Sequence, residues 1–276
     1  MPAVTRFAPS PTGHLHLGHA YAAIRALQAA AGGGRFLVRI EDIDRQRCRA
    51  DFERDLLEDL AWLGLVWEQP VRRQSDHLAD YRAALARLFE LGVVYPCFCS
   101  RKDIASAGGA PQQGDYEGPL YPGVCRTLSV AETAARIAEG YPHAVRLDVA
   151  RALGLTGGLW WHDRAAGRQT AEPGLLGDVV LARRDAPTSY HLSVVVDDAL
   201  QGVTLVTRGA DLFAATHSHR LLQALLGLPS PEYHHHKLLV DGDGRRLSKR
   251  DGALTVRALR FSGHTAAEVG AMVGLS

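Results

Sequence analysis

Short apolar runs and segments of helical periodicity alternate along the first third of the chain. Val4–Ala8 and Phe36–Ile40 are compact apolar runs, of the length typical of buried strands. Apolar residues recur at helical spacing in Leu17–Ala30, Phe52–Leu63 and Tyr81–Leu91. This order of strand, helix, strand and helix predicts a parallel sheet covered by helices.

The pattern changes after residue 94. Tyr95–Pro122 is rich in glycine and proline, which predicts a long irregular loop that needs an anchor. Ser129 and Glu132 then form the capping box of a further helix, and His143–Val149 has the character of a strand. We interpret this region as an insertion within the α/β domain.

Apolar strand patterns return at Asp178–Ala182 and Val203–Thr207, on either side of Tyr190–Leu200, and resume the parallel-sheet pattern. Asp211–Leu226 is typical of a strong helix, and Thr265 opens a last short one. We predict four consecutive segments: the first half of the parallel-sheet domain (1–94), an insertion (95–175), the second half (176–252) and a short helical C-terminal segment (253–276).

Composition narrows the class of protein. The chain has 276 residues, of which 46% are hydrophobic and 22% charged, the balance of a globular enzyme. Its 31 Lys and Arg against 30 Asp and Glu create no global basic field, so an RNA partner must use a local patch. No apolar run approaches the roughly 18 residues of a membrane span, and prolines interrupt the first residues. We expect a cytoplasmic monomer with no membrane partner.

Two motifs carry phosphate chemistry. His16-Leu-Gly-His19 opens the first helix, where Gly18 lets a ligand approach the backbone and the helix N-terminus favours anions. Arg246-Leu-Ser-Lys-Arg250 is a basic loop in which Lys249 offers a compact charge suited to polyphosphate. Ordinary histidines and a basic surface loop are the alternative interpretations, but the two motifs together are more specific than either alone.

These motifs, with Arg6-Phe-Ala-Pro-Ser-Pro-Thr-Gly13 and Arg39-Ile-Glu-Asp-Ile-Asp44, resemble the glutamyl branch of class I aminoacyl-tRNA synthetases over nearly the whole chain. The resemblance implies a Rossmann-like parallel-sheet nucleotide-binding domain, a zinc-containing insertion and a short helical C-terminal portion. It also implies a ligase that activates L-glutamate to glutamyl-adenylate with ATP and Mg²⁺.

Only residues 251–276 follow Arg250, which leaves no room for the helical anticodon-binding region of a full glutamyl synthetase. Within the branch the chain is most similar to a shortened form. Such a form activates glutamate without tRNA and transfers it to queuosine at the anticodon wobble position of tRNA(Asp). A compact synthetase that charges the tRNA 3′ end, a non-catalytic RNA-binding paralogue and a cofactor-forming nucleotidyltransferase remain as alternatives.

The resemblance assigns roles to residues. Glutamate has two carboxylates and one ammonium, so its site needs arginines and a carboxylate. For Glu41 the alternative is a solvated carboxylate, and for Arg208 a surface charge. The assigned ATP ligands are His16, Gly18, His19 and Lys249, with His16, His19 and Lys249 as the catalytic groups. The assigned glutamate ligands are Arg6, Ser10, Glu41, Tyr190 and Arg208.

Cys97-Phe-Cys99 with Tyr121 and Cys125 resembles the zinc site of this family, which implies one structural Zn²⁺ per chain. Thiolates are soft ligands that suit tetrahedral Zn²⁺. Tyr116 is the rival phenol, and three reduced cysteines without metal are the alternative.

Two further motifs have an ordinary interpretation. His234-His235-His236 cannot converge on one ion, because adjacent side chains of a strand point in opposite directions. We interpret these histidines as ordinary residues near the ATP site. Trp160-Trp161-His162 is more typical of core packing than of base stacking.

Overall fold

The structure is a computed structural model, which describes residues 2–107, 120–239 and 254–274. Its helices and strands follow one another along the chain as β1 (Val4–Phe7), α1 (Leu17–Ala29), β2 (Arg35–Ile40), α2 (Ala50–Trp62), β3 (Glu68–Arg73), α3 (Leu78–Glu90), β4 (Val94–Cys97), α4 (Arg101–Ser106), α5 (Val130–Ala138), β5 (Ala144–Leu147), α6 (Val149–Thr156), β6 (Trp160–Asp163), β7 (Gly167–Thr170), β8 (Val180–Ala182), α7 (Tyr190–Leu200), β9 (Leu205–Gly209), α8 (Phe213–Leu226), β10 (Glu232–His236), α9 (Val256–Phe261) and α10 (Ala266–Met272).

The chain forms two compact units that interleave along the sequence. The first unit contains Met1–Asp76, Gly202–Ala210 and Pro231–Ser276, and the second contains His77–Gln201 and Asp211–Ser230. These limits divide the chain differently from the predicted segments, whose boundaries after residues 94, 175 and 252 stay a prediction.

Parallel strands form the framework of the first unit. β1, β2 and β3 make one parallel sheet, and β9 pairs with β10 in parallel. At the start of β9, the backbone N–H of Thr204 donates to the carbonyl of Val4 at 3.0 Å, and its hydroxyl oxygen accepts from the Val4 N–H at 2.9 Å. α1 lies against both β1 and β9. The predicted parallel α/β fold is therefore confirmed for this unit.

Small residues allow α1 to lie close to those strands. The buried side of the helix consists of Ala20, Ala23 and Ala26, and the hydroxyl of Thr5 in β1 donates to the Ala26 carbonyl at 2.8 Å. In β2, every residue after Arg35 is buried, as expected for a strand that is covered on both faces. The carboxyl ends of β1, β2 and β9 are thereby held at one edge of the unit.

The second unit is built differently. β4, β5 and β8 form an antiparallel sheet, and β6 and β7 form an antiparallel hairpin. Its core includes Tyr81, whose hydroxyl donates to the buried carboxylate of Asp197 at 2.9 Å. The expectation that the parallel pattern resumes at Asp178–Ala182 is wrong, since β8 runs antiparallel to β5. An apolar run indicates a buried strand and carries no information about its direction.

Two other local expectations need correction. The predicted strand His143–Val149 ends at Leu147, because the Asp148 carboxylate caps a helix by accepting the Arg151 N–H at 3.0 Å. The described part of the predicted loop Tyr95–Pro122 contains most of β4 and all of α4.

None of the helices in the described ranges combines the length and the apolar character that crossing a membrane requires.

A buried carboxylate ties α9 to α2 within the first unit. Asp59 is fully buried and lies 3.5 Å from Nε of Arg257 and 3.7 Å from Nη1 of Arg260. Arg257 also pairs with Asp55 at 3.2 Å and Glu58 at 2.7 Å. Burial raises the pKa of Asp59, and the two arginines oppose that shift. This cluster fixes the chain where it re-enters the described structure after residue 253.

We predict that Arg257→Ala lowers the free energy of unfolding by about 3 kcal/mol, because it leaves a buried carboxylate short of one partner. Urea denaturation measures the change. Arg87→Ala is the matched control, since Arg87 forms a 2.9 Å pair with Glu90 on the exposed surface of α3, and such pairs contribute about 1 kcal/mol or less. Equal small losses in both variants would contradict a structural role for the Asp59 cluster.

Candidate active site and metal cluster

Three buried arginines lie on three strands of the first unit: Arg6 on β1, Arg39 on β2 and Arg208 on β9. Nη1 of Arg6 donates to the Thr207 carbonyl of β9 at 3.1 Å, so Arg6 is held against the strand that carries Arg208. A guanidinium removed from water is costly unless anionic or hydrogen-bonding groups surround it. The carboxyl ends of these strands are therefore suited to an anionic ligand.

Arg208 is positioned by β10. His235 is its direct neighbour in the parallel register, and Nε of Arg208 donates to Nε2 of His235 at 3.1 Å. The guanidinium carbon also lies 5.5 Å from the centroid of the Tyr233 ring. Because His235 accepts at Nε2, its ring is neutral in this arrangement. The surface-charge interpretation of Arg208 is therefore wrong.

His235 supports a candidate site residue, Arg208, and the sequence analysis did not identify it. In the structure His235 contacts Arg208, and His236 packs against the ring of Tyr21. The signal that could have found His235 is the alternation of Tyr233 and His235, which lie on one face of a strand beside Arg208.

Glu41 follows β2 and is set apart from the two acidic residues after it. One oxygen of its carboxylate lies 3.3 Å from Nη2 of the fully buried Arg39. Asp42 instead accepts the backbone N–H of Ser75 at 2.8 Å, and Asp44 pairs with Arg47 at 2.7 Å. The three carboxylates thus make three different contacts, and that of Glu41 is with a buried cation.

Ser10 lies in the turn after β1 and is exposed. Its carbonyl accepts the Thr12 N–H at 2.8 Å, and the preceding Pro9 carbonyl accepts the Glu41 N–H at 3.0 Å. The turn with Ser10 and the segment with Glu41 are therefore joined through the backbone.

His16 and His19 come together at the N-terminus of α1. Their rings stack with centroids 3.7 Å apart, and the His16 backbone N–H donates to Nδ1 of His19 at 3.3 Å. That bond places the proton of a neutral His19 on Nε2, which can then donate. A Cβ on Gly18 would lie only 2.9 Å from Cε1 of His16. Glycine is required there by the position of the His16 ring.

Lys249, with the whole Arg246–Arg250 motif, lies outside the described residues. The described chain on either side of 240–253 is held near the start of α1. The His236 ring packs edge-on against Tyr21 of α1 at 4.9 Å, and the Val256 N–H donates to the Leu15 carbonyl at 2.8 Å. Thr255 also forms an isolated antiparallel bridge with His16.

Tyr190 belongs to the second unit, where it is the first residue of α7. Its ring centroid lies 5.5 Å from those of His191 and His219. The other described residues predicted to bind ATP or glutamate lie in the first unit: Arg6, Ser10, His16, Gly18, His19, Glu41 and Arg208.

Three thiols of the second unit converge as predicted. The sulfur atoms of Cys97, Cys99 and Cys125 lie within 4.8 Å of one another. The Tyr121 hydroxyl oxygen accepts the Cys125 backbone N–H at 2.7 Å and lies 3.8 Å from Sγ of Cys99. Tyr116, the rival phenol, lies outside the described residues.

The surroundings of the thiols fit a metal ion. Arg184 donates to the Cys99 carbonyl at 2.6 Å and so braces the turn between the first two cysteines. Burial raises the pKa of the Cys99 thiol to about 11. Burial also opposes ionisation of Cys125, but hydrogen bonds from Tyr121 and the Phe98 N–H leave its pKa below the ordinary value. A metal ion would supply the positive charge that ionises all three.

Comparisons with known proteins identify the family of this chain. A family model described as tRNA synthetases class I (E and Q), catalytic domain, matches residues 2–268. Glutamyl-Q tRNA(Asp) synthetase from Rhodobacter capsulatus is 52% identical, with 99% of this chain and 100% of the relative covered. The protein of the same name from Symbiobacterium thermophilum is 44% identical, with 94% of this chain and 81% of the relative covered.

Among solved structures, the crystal structure of a glutamate tRNA ligase from Elizabethkingia meningosepticum, in complex with its amino acid, has a TM-score of 0.75 and 29% sequence identity to this chain. The match covers 91% of this chain and 53% of that ligase. The chain therefore spans about half the length of the ligase that it resembles.

Proposed function

The chain belongs to the family of class I tRNA synthetase catalytic domains for glutamate and glutamine, and from this membership we propose that it activates L-glutamate with ATP and transfers it to queuosine at the anticodon wobble position of tRNA(Asp). It is a ligase of the aminoacyl-tRNA synthetase type. The observation that carries the queuosine assignment is the similarity, over the full length of the relative, to a protein named Glutamyl-Q tRNA(Asp) synthetase.

Charge complementarity supports glutamate as the amino acid. Arg6 and Arg208 bind its carboxylates, since both guanidinium groups are buried, and contacts with the Thr207 carbonyl and His235 help to hold them in place. Glu41 binds the ammonium group, and Arg39 keeps its carboxylate in place. Ser10 is a further proposed glutamate ligand in the first unit, and Tyr190 of the second unit keeps the role that the family resemblance implies.

The stacked histidines support ATP binding at the start of α1. His16 and His19 contact the phosphates, Gly18 admits the nucleotide, and the helix N-terminus adds its partial positive charge. Lys249 adds a positive charge near the polyphosphate. Mg²⁺, when bound, would neutralise part of the negative charge of the phosphates. Thr255 and Val256 make backbone contacts with His16 and Leu15. The chain therefore lies beside the proposed ATP site just after residue 253.

Activation needs little proton chemistry. The α-carboxylate of glutamate attacks the α-phosphorus of ATP in line, the bond to the bridging oxygen breaks, and pyrophosphate leaves. His16, His19 and Lys249 act by positioning and by stabilising the charge that develops in the transition state. A hydroxyl of queuosine then attacks the acyl carbon of glutamyl-adenylate, and AMP leaves. The wobble nucleotide must be unpaired to reach the adenylate, a usual mode of RNA recognition.

Cys97, Cys99 and Cys125, with Tyr121 as fourth ligand, would hold one structural Zn²⁺ in the second unit. Three thiolates and a phenolate leave no position for substrate, which is typical of a structural site. The ion would join β4 to the segment with Tyr121 and Cys125.

We predict exchange of pyrophosphate into ATP that depends on glutamate and requires no tRNA, because the described residues proposed to bind ATP and glutamate, apart from Tyr190, all lie in the first unit. With tRNA added, labelled glutamate should attach to tRNA(Asp) that contains queuosine. Enzymatic removal of the 3′ nucleotide should leave this acceptance intact.

The control is the same tRNA without queuosine, which should accept nothing. Loss of acceptance after 3′ trimming, or equal acceptance without queuosine, would indicate charging of the 3′ end instead. Exchange that appears only with tRNA(Glu) would favour the compact synthetase.

We predict that Gly18→Ala separates stability from activity. The added Cβ displaces the His16 ring, which can move without unfolding the helix, and alanine favours a helix by about 0.5–1 kcal/mol. The melting temperature should therefore stay the same or rise, while kcat/KM for ATP in pyrophosphate exchange falls roughly tenfold or more. Gly154→Ala in α6, where nothing lies within 4 Å of the new Cβ, is the control. A variant with full exchange activity would remove Gly18 and His16 from the ATP site.

We predict one zinc per chain by metal analysis of the purified protein, and its loss in Cys125→Ser. Cys48→Ser is the matched control, because Cys48 lies in the first unit, with Sγ 3.8 Å from the Glu41 carbonyl. A Cys97→Ser variant that still bound one equivalent of zinc would contradict the proposed zinc site. Retention in Tyr121→Phe would leave the fourth position to Tyr116 or water.

A further inference from the structure

The hairpin of β6 and β7 exposes one aromatic and basic face. Along β6, Trp160 and His162 are exposed, whereas Trp161 and Asp163 are buried. Along β7, Arg168 and Thr170 are exposed, and the register pairs Trp160 with Thr170 and His162 with Arg168. The strand alternation thus collects Trp160, His162, Arg168 and Thr170 on the outer face.

The opposite face fixes the hairpin to the second unit. The Trp161 side chain is 1% exposed and packs edge-on against Phe213 of α8, with ring centroids 4.9 Å apart. Asp163 closes the turn by accepting the backbone N–H groups of Ala165 and Ala166, each at 2.9 Å. The outer face is therefore a preformed surface.

Core packing, the interpretation suggested by the sequence, holds for Trp161 and is wrong for Trp160. Trp160 is 54% exposed, with the guanidinium carbon of Arg168 4.7 Å from its ring centroid. Strand alternation explains the difference, since neighbouring residues of β6 face opposite sides. An exposed tryptophan beside an arginine offers two flat groups on which a nucleobase can stack.

The charge around Trp160 selects an anionic partner. Arg164 lies in the turn, Arg168 lies over the Trp160 ring, and Arg220 of α8 donates from Nε to the Trp160 carbonyl at 3.0 Å. The single acidic residue between positions 160 and 170 is Asp163, which is buried in the turn. Since the chain as a whole has a formal charge of only +1, a local patch of this kind is what RNA binding requires.

We propose that the outer face of the β6–β7 hairpin is an RNA contact, where an unpaired base of the substrate tRNA stacks on Trp160 and Arg168 binds an adjacent phosphate. The inference rests on the proposed function only in taking tRNA as the substrate. It assigns a role to a surface that takes no part in the activation of glutamate.

The test measures tRNA binding and glutamate activation separately. In a filter-binding assay at fixed salt, Trp160→Ala should bind queuosine-containing tRNA(Asp) about tenfold more weakly than the wild-type chain. Trp160→Phe should retain most of the wild-type affinity. Arg168→Gln should make log K for tRNA binding depend less steeply on log salt concentration, by about the one unit of slope that a single phosphate contact contributes. Pyrophosphate exchange without tRNA should be unchanged in all three variants.

Leu155→Ala is the matched control, because Leu155 is an apolar side chain of α6 in the same unit and is 58% exposed. Unchanged tRNA affinity in Trp160→Ala would overturn the inference. A second contradicting result would be a Trp160→Ala variant that binds RNA normally but self-associates less than the wild-type chain in sedimentation. The face would then contact a second copy of the chain. Absence of glutamate-dependent exchange in the wild-type chain would count against the proposed function instead, and the binding result would still decide the role of the hairpin.

Discussion

The burial of three arginines on parallel strands determines what the first unit can bind. Arg6, Arg39 and Arg208 lie on β1, β2 and β9, and a guanidinium in that environment requires charge or hydrogen-bond compensation. Arg39 contacts Glu41, Arg6 contacts the Thr207 carbonyl, and Arg208 contacts His235. Two oriented cations and one oriented carboxylate correspond to the charges of glutamate.

The local parts of this arrangement could be predicted from the sequence, and the non-local parts could not. Apolar runs located β1 and β2, helical spacing located α1, and the histidine motif was correctly placed where that helix begins. The support of Arg208 by His235 depends instead on the register between β9 and β10, which join distant parts of the chain. The direction of β8 depends in the same way on its pairing with β5.

The second unit has a different physical basis. Its antiparallel sheet consists of strands of three or four residues, which bury little apolar surface. The cluster of Cys97, Cys99, Tyr121 and Cys125 packs as a small buried group at the end of β4, and a metal there would add stability that short strands lack. The β6–β7 hairpin is held in turn by the buried Trp161, which leaves Trp160 at the surface.

The central claim is that oriented buried arginines select a carboxylate side chain before any RNA is present. Calorimetric titration of non-hydrolysable glutamyl-adenylate and glutaminyl-adenylate analogues into the chain without tRNA tests it most directly. The account predicts one glutamyl analogue bound per chain, with the glutaminyl analogue bound about tenfold or more weakly, because a neutral amide forms weaker hydrogen bonds with a guanidinium. Equal affinity for the two analogues, or binding only after tRNA is added, would contradict it.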